Sequence, residues 1–167
     1  MKKAVMLSIR PKWCEMIARG EKTIEIRKNR PEMKPPFKCY IYCTASGITS
    51  AERNGNVYTD LRGKVIGEFI CTDFVPFCNG KPILMIRKET AEEIERRSCL
   101  SREEIMEYAP KGNPIGWCIS DLTIYDKPKE LSEFKLYYCS VVREGGYPMP
   151  THEIRRAPQS WCYVGEI

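Results

Sequence analysis

The segment from Ile9 to Lys28 constrains the fold more than any other part of the chain. Pro11 stands where a helix can begin, because the first helical position does not need a backbone N–H. Apolar side chains then recur at helical spacing as far as Gly20, which can end a helix at low cost in a left-handed conformation. The apolar and charged residues that follow alternate, which predicts a strand from about Lys22 to Lys28.

The rest of the chain predicts a mixed α+β fold. Two motifs that begin at Thr90 and Ser101 have the capping-box form and predict two short helices. Because strands and helices do not alternate regularly, a doubly wound sheet is not favoured. We expect a small mixed β-barrel with short helices packed on its outside. The predicted strands lie at 5–9, 22–28, 38–44, 64–74, 115–125 and 163–164.

A chain of 167 residues fits one domain with a substantial core, because this length buries about 70% of the surface of the unfolded chain. We expect a single domain over 1–167, with a long loop-rich excursion at about 126–160. No stretch approaches the roughly 20 apolar residues of a membrane helix. The first residues resemble a strand more than a leader peptide, so we expect a cytoplasmic protein with no membrane association.

Nine cysteines raise the question of a disulfide framework or a metal site. No two of them stand in a Cys-x-x-Cys motif, and His152 is the single histidine, so the spacing does not favour zinc. We therefore expect no metal and no cofactor. Thiols inside apolar strands act as small hydrophobes, which indicates a reducing compartment. The cysteines in such strands are Cys39, Cys43, Cys71, Cys118 and Cys162.

Positive charge is concentrated near the N-terminus. Between Arg10 and Lys38 there are nine lysines and arginines against four glutamates. A local basic face favours phosphate groups, and the alternative is an ordinary solvated surface. Near the other end of the chain, Arg155 and Arg156 precede Trp161. Trp161 is thus a candidate for stacking on an unpaired base.

Strand periodicity places Glu25 and Arg27 on one face and the apolar Ile24 and Ile26 on the other. Lys22 has the parity of the apolar face, so it joins Glu25 and Arg27 only if the preceding turn swings it there. The alternative is a position at the rim of the core.

If the three charges converge, each has a chemical use. Lys22 and Glu25 could form an acid–base pair, and Arg27 could grip a phosphate or a carboxylate with its fork of donors. The alternative is a structural ladder of opposite charges on the sheet surface.

The stretch from Gly20 to Arg27 resembles the Gly-x-Lys-x-x-Glu-x-Arg signature of the ASCH family, a branch of the PUA-like superfold. The lead-in from Leu7 to Pro11 is also similar to that family. So are the block from Gly63 to Phe69 and the stretch from Ala157 to Val164, the latter as in bacterial and phage-type members.

The resemblance implies a pseudo-barrel with a polar cleft lined by Lys22, Glu25 and Arg27. It also implies RNA binding, and some family members are hydrolases that act on acetylcytidine or on RNA. In the amidohydrolase branch, the motif lysine pairs with a threonine and with a glutamate in the helical region. Here Glu25 replaces that threonine, so the amidohydrolase assignment does not transfer. The helical glutamate would fall at Glu92, Glu93 or Glu95.

Three functions remain open from the sequence. The first is an RNA- or nucleotide-binding domain that uses Lys22, Glu25 and Arg27, with Arg10 and Lys12 near the mouth of the cleft and Trp161 as a further ligand contact. The second is a small hydrolase acting on RNA or a modified nucleoside through Lys22 and Glu25. The third is a protein-interaction domain that uses the excursion at 126–160.

Overall fold

A computed structural model describes residues 2–45, 61–78, 81–82, 90–110, 112–137 and 152–167. It contains mixed α and β structure, which confirms the predicted α+β class. Along the chain the strands are β1 (Lys3–Ile9), β2 (Ile24–Arg27), β3 (Phe37–Cys43), β4 (Lys64–Cys78), β5 (Lys81–Pro82), β6 (Ile115–Glu130) and β7 (Trp161–Gly165). The helices are α1 (Pro11–Ala18), α2 (Ala91–Ser98) and α3 (Arg102–Tyr108), and a 3-10 turn covers Leu131–Glu133.

The chain divides into two compact units. The first unit comprises Met1–Glu15, Lys38–Phe69 and Thr123–Ile167, and the second comprises Met16–Phe37 and Ile70–Leu122. The long strands β4 and β6 contribute to both units.

In the first unit, β1 lies between β3 and β7. It pairs with β3 in parallel, with Val5 opposite Cys39, and with β7 antiparallel, with Val5 opposite Tyr163. Alternate side chains of these strands point to the same face and together form one continuous core. The fully or nearly buried members of that core are Ala4, Met6, Tyr40, Tyr42, Val65, Phe134, Ile154 and Val164.

In the second unit, β2 pairs antiparallel with β6, and α2 and α3 supply apolar residues to the core beside them. Thr90 caps α2 by accepting from the N–H of Glu93, and Ser101 and Glu104 form a complete capping box on α3. The core consists of Ile24, Ile26, Val75, Phe77, Ala91, Ile94, Ile105 and Cys118.

The strand order β2-β6-β4-β3-β1-β7, with β5 beside β4, has β2 and β7 at its two ends. The predicted small mixed β-barrel is therefore not confirmed. Several strand boundaries differ from the prediction, and two of them matter for the site and the excursion: β2 begins at Ile24 and β6 continues to Glu130. Part of the predicted excursion at 126–160 is thus strand, and its residues 138–151 lie outside the described chain.

Gly67 is essential to the path of β4 in the first unit. A Cβ atom at this position would lie 2.4 Å from the carbonyl oxygen of Thr123 in β6. Glycine therefore permits a close approach of the two backbones at this point of β4.

Seven cysteines of the described part of the chain are free thiols, and Cys39, Cys43, Cys71 and Cys118 among them are buried. Burial raises the pKa of the Cys71 thiol to about 12. A thiol in this state behaves as the small hydrophobe that the sequence predicted. Within the described residues, no helix has the length and apolar character needed to cross a membrane.

Candidate functional site

The end of α1 turns Lys22 toward the charged face of β2. Gly20 adopts a φ of 74°, and the backbone N–H groups of Glu21 and Lys22 both donate to the carbonyl oxygen of Met16. This arrangement closes the helix and delays the start of β2 to Ile24. Strand parity therefore does not apply to Lys22, and the swing that the prediction required is present.

Pairing with β6 determines which side chains accompany Glu25. Glu25 lies opposite Trp117, and Ile24 lies opposite Cys118. Residues directly opposite in an antiparallel pair share a face of the sheet. Trp117 thus shares the face of Glu25, while Ile24 and Ile26 point into the core that contains α2 and α3 residues.

Lys22, Glu25 and Arg27 form a buried group, hereafter the charged cluster. Lys22 Nζ lies 3.5 Å from Glu25 Oε2, and Arg27 Nη2 lies 3.1 Å from Glu25 Oε1. Their side chains are 1%, 9% and 6% exposed for Lys22, Glu25 and Arg27, respectively. The structure thus brings together the three motif residues that the sequence selected.

The last turn of α2 holds one end of the charged cluster. Lys22 Nζ donates to the carbonyl oxygen of Ser98 at 2.5 Å. Terminal carbonyls of a helix carry partial negative charge and favour a cation. Thr23 adds two contacts to the same turn, because its N–H donates to the Arg97 carbonyl and its hydroxyl accepts from Arg97 Nε at 3.1 Å.

Aromatic rings surround Trp117 on the face that it shares with Glu25. The Trp117 ring is fully buried and lies edge-on to Phe37 and Phe74, at centroid distances of 6.0 and 5.4 Å. A low-dielectric surrounding of this kind strengthens charge interactions in the cluster.

The three helical glutamates that the family resemblance pointed to contact arginines. Glu95 Oε1 lies 3.2 Å from Arg102 Nε, Glu92 lies 3.9 Å from the same arginine, and Glu93 lies 4.0 Å from Arg96. Hydrogen bonds with its own backbone and with Thr90 lower the pKa of Glu92, as expected at a helix N-terminus. Among the described residues, no three His, Cys, Asp or Glu side chains are grouped to hold a metal.

The other predicted site residues belong to the first unit. Arg10 and Lys12 are exposed, and Lys12 Nζ lies 4.6 Å from the Trp13 ring centroid. Trp161 is half-buried in β7 and lies 5.3 Å from the Tyr163 ring.

Sequence reasoning missed two partners of the charged cluster, Ser98 and Trp117. Ser98 contributes a backbone carbonyl, for which no side-chain pattern exists. Trp117 becomes a neighbour of Glu25 through the register between β2 and β6. The sequence indicates only which face of β6 carries Trp117, and not which residue of β2 lies opposite.

The chain is similar to one protein family in sequence and to several solved structures in fold. The family model of the ASCH domain matches residues 7–73, which include the whole charged cluster. Comparison with curated proteins gave no significant match.

Solved structures of an ASCH protein from Zymomonas mobilis have the same fold. One has a TM-score of 0.58 at 18% identity, covering 98% of this chain and 88% of that chain. A serine-to-alanine mutant of that protein gives 0.59 at 18% identity, covering 98% and 89%. A tyrosine-to-phenylalanine mutant gives 0.53 at 19% identity, covering 78% and 77%. The signature from Gly20 to Arg27 lies within the residues that the ASCH family model matches.

Proposed function

We propose that the chain is an RNA- or nucleotide-binding protein whose ligand contacts the charged cluster. ASCH domains are thought to bind RNA, and the family match includes Lys22, Glu25 and Arg27. Arg10, Lys12 and Trp161 stay predicted ligand contacts.

One observation carries the proposal. Glu25 Oε2 is buried and has no hydrogen bond within the described residues, although Lys22 Nζ lies 3.5 Å away. A buried acceptor without a hydrogen bond costs about 1–3 kcal/mol. A ligand N–H or O–H group, such as those of bases and ribose, would remove this cost.

The charges of the cluster favour an anionic ligand. Two cations accompany one carboxylate, and Glu25 Oε1 fixes Arg27 at 3.1 Å. The planar guanidinium of Arg27 has five donors in a fixed geometry, which suits a phosphate better than a lysine does. This supports a ligand that combines a phosphate with a hydrogen-bond donor, as a nucleotide does.

The test is a titration of labelled nucleotides and short single-stranded RNA with the parent protein and with Arg27→Lys. The variant keeps the positive charge but loses the paired N–H donors of the guanidinium, so we expect affinity to fall about tenfold. Arg96→Lys is the matched control, because the Arg96 side chain on α2 is 75% exposed. We also expect affinity to fall as salt rises from about 50 to about 200 mM. Equal affinity of all three proteins, or no dependence on salt, would contradict the proposal.

A hydrolase that uses Lys22 and Glu25 is the second candidate. The 3.5 Å distance between Lys22 Nζ and Glu25 Oε2 favours it, because acid–base partners must be close. Chromatography of the same titration samples, with acylated nucleosides added, tests this candidate. Turnover by the parent that Glu25→Gln abolishes would support it, and equal residual turnover would exclude it.

A protein-interaction function through the excursion at 126–160 remains a prediction from the sequence. Residues 138–151 of that excursion lie outside the described chain, so no contact of theirs supports it.

A further inference from the structure

A second group of basic and aromatic side chains lies in the first unit, on and beside β7. Lys3, Tyr137, Trp161 and Tyr163 form this group, hereafter the β7 patch. Lys3 Nζ lies 3.5 Å from the Tyr163 ring centroid and 5.7 Å from the Tyr137 centroid. Trp161 and Tyr163 are two residues apart, so they share a face of the strand, and their centroids are 5.3 Å apart.

The backbone of β7 is paired on both sides near Tyr163. On one side Val5 of β1 lies opposite Tyr163. On the other, Tyr137 donates its N–H to the Tyr163 carbonyl at 3.0 Å, and Gly165 donates to Lys135 at 3.1 Å. A peptide partner therefore cannot add a strand here, which is the usual way a sheet edge binds protein. Recognition at the β7 patch must use side chains.

Those side chains are accessible and have cationic neighbours. All four residues of the β7 patch are partly exposed. Residues 2–3, 135–137 and 152–167 carry five basic side chains against two acidic ones, a net charge of +3. The basic side chains are Lys2, Lys3, Lys135, Arg155 and Arg156, and all except Lys3 are exposed.

We propose that the β7 patch binds single-stranded polynucleotide, with unpaired bases stacked on Trp161 and Tyr163 and phosphates attracted by the surrounding cations. Base stacking on aromatic rings tolerates any sequence and requires unpaired bases. The cation–π contact of Lys3 fixes the position of the Tyr163 ring and adds positive charge beside it. This surface does not depend on the charged cluster.

The experiment measures fluorescence anisotropy of a labelled single-stranded RNA 12-mer with the full chain. Tyr163→Leu should weaken binding about tenfold, the loss expected for one stacked base, and Tyr163→Phe should keep parental affinity. Tyr108→Leu is the matched control. Tyr108 is 39% exposed and also lies beside a lysine, Lys28, at 5.1 Å, but it belongs to the glutamate-rich α3. It should leave affinity unchanged.

Two competitors separate stacking from simple charge attraction. A duplex of the same sequence and inorganic polyphosphate should each bind more weakly than the single strand, because neither offers unpaired bases. Equal binding of polyphosphate and single strand, equal losses for Tyr163→Leu and Tyr108→Leu, or no binding of single strand by the parent would overturn the proposal. If circular dichroism shows that Tyr163→Leu does not fold, Trp161→Leu replaces it, with the same expected loss of affinity.

The titration also separates the two sites. Both proposals are supported if Arg27→Lys weakens nucleotide binding and Tyr163→Leu weakens binding of the 12-mer. Absence of any nucleotide binding by the parent, with Tyr163-dependent 12-mer binding retained, refutes the function proposed for the charged cluster and supports the β7 patch.

Discussion

Lys22, Glu25 and Arg27 lose nearly all contact with water, and this costs free energy that close partners must offset. Glu25 is central, because one carboxylate oxygen contacts each cation. The Ser98 carbonyl gives Lys22 an additional acceptor. Removing Glu25 would therefore leave two buried cations without their shared counter-charge.

Glu25→Gln tests this dependence while keeping the shape of the side chain. We expect a loss of about 3–5 kcal/mol in the free energy of unfolding, as for other buried ion pairs from which one partner is removed. The measurement is urea unfolding followed by circular dichroism. Glu21→Gln is the control, since Glu21 is exposed, and it should change stability by no more than about 0.5 kcal/mol. A loss of that small size for Glu25→Gln would show that the ion pairs contribute little.

The identity of these three residues could be predicted from their spacing, but the position of Lys22 could not. Its side chain turns because Gly20 and Met16 close α1 before β2 begins. That geometry follows from hydrogen bonds between backbone groups. Strand periodicity describes only the alternation of side chains, so it carries no information about these bonds.

Between β4 and β6, an absent side chain determines how closely the backbones approach. The Cβ of any other residue at Gly67 would lie 2.4 Å from the Thr123 oxygen. Backbone atoms cannot move aside as the tip of a flexible side chain can, so both strands would have to shift.

Gly67→Ala should therefore destabilise the chain by at least about 1–3 kcal/mol, the usual cost of overpacking. Gly112→Ala is the matched control, because nothing lies within 4 Å of the position of its Cβ. Thermal unfolding of the two variants beside the parent gives the comparison. Similar melting temperatures for both variants would mean that β4 and β6 separate at little cost.

Helix starts were the most predictable elements, because the hydroxyls of Thr90 and Ser101 act on backbone groups three residues away. The end of β6 was not predictable in this way. Its last residues carry charges and a proline, which resemble a loop, yet the strand continues to Glu130. Pairing with distant strands overrides local preference there.

At the scale of the whole molecule, pH acts on stability through a network across three strands of the first unit. Lys38 Nζ and the Tyr125 hydroxyl donate to the two oxygens of Glu68 at 2.7 and 2.6 Å. Partial burial alone would raise the pKa of Glu68, but these hydrogen bonds outweigh burial and hold the pKa below its ordinary value. Stability from Glu68 is therefore complete above the unfolded-state pKa and is lost as pH falls through the folded-state pKa.

We expect Glu68→Gln to lower the melting temperature at pH 7 and to have a smaller effect once the pH falls below the folded-state pKa of Glu68, where the parent carboxylate is protonated as well. Calorimetry of parent and variant at both pH values gives the difference directly, because other carboxylates titrate alike in the two proteins. A difference that stays the same as the pH falls from 7 to below that pKa would mean that the charge of Glu68 has no part in stability.

The two partners of β1 become available at very different times during synthesis. Cys39 of β3 follows Val5 closely in the chain, whereas Tyr163 of β7 is made 124 residues after Cys39. At about 5–20 residues per second, roughly 6–25 s separate the synthesis of Cys39 from that of Tyr163. Throughout that interval one edge of an almost wholly apolar strand lacks its native partner, so the nascent chain would benefit from a chaperone that shields β1 until β7 emerges.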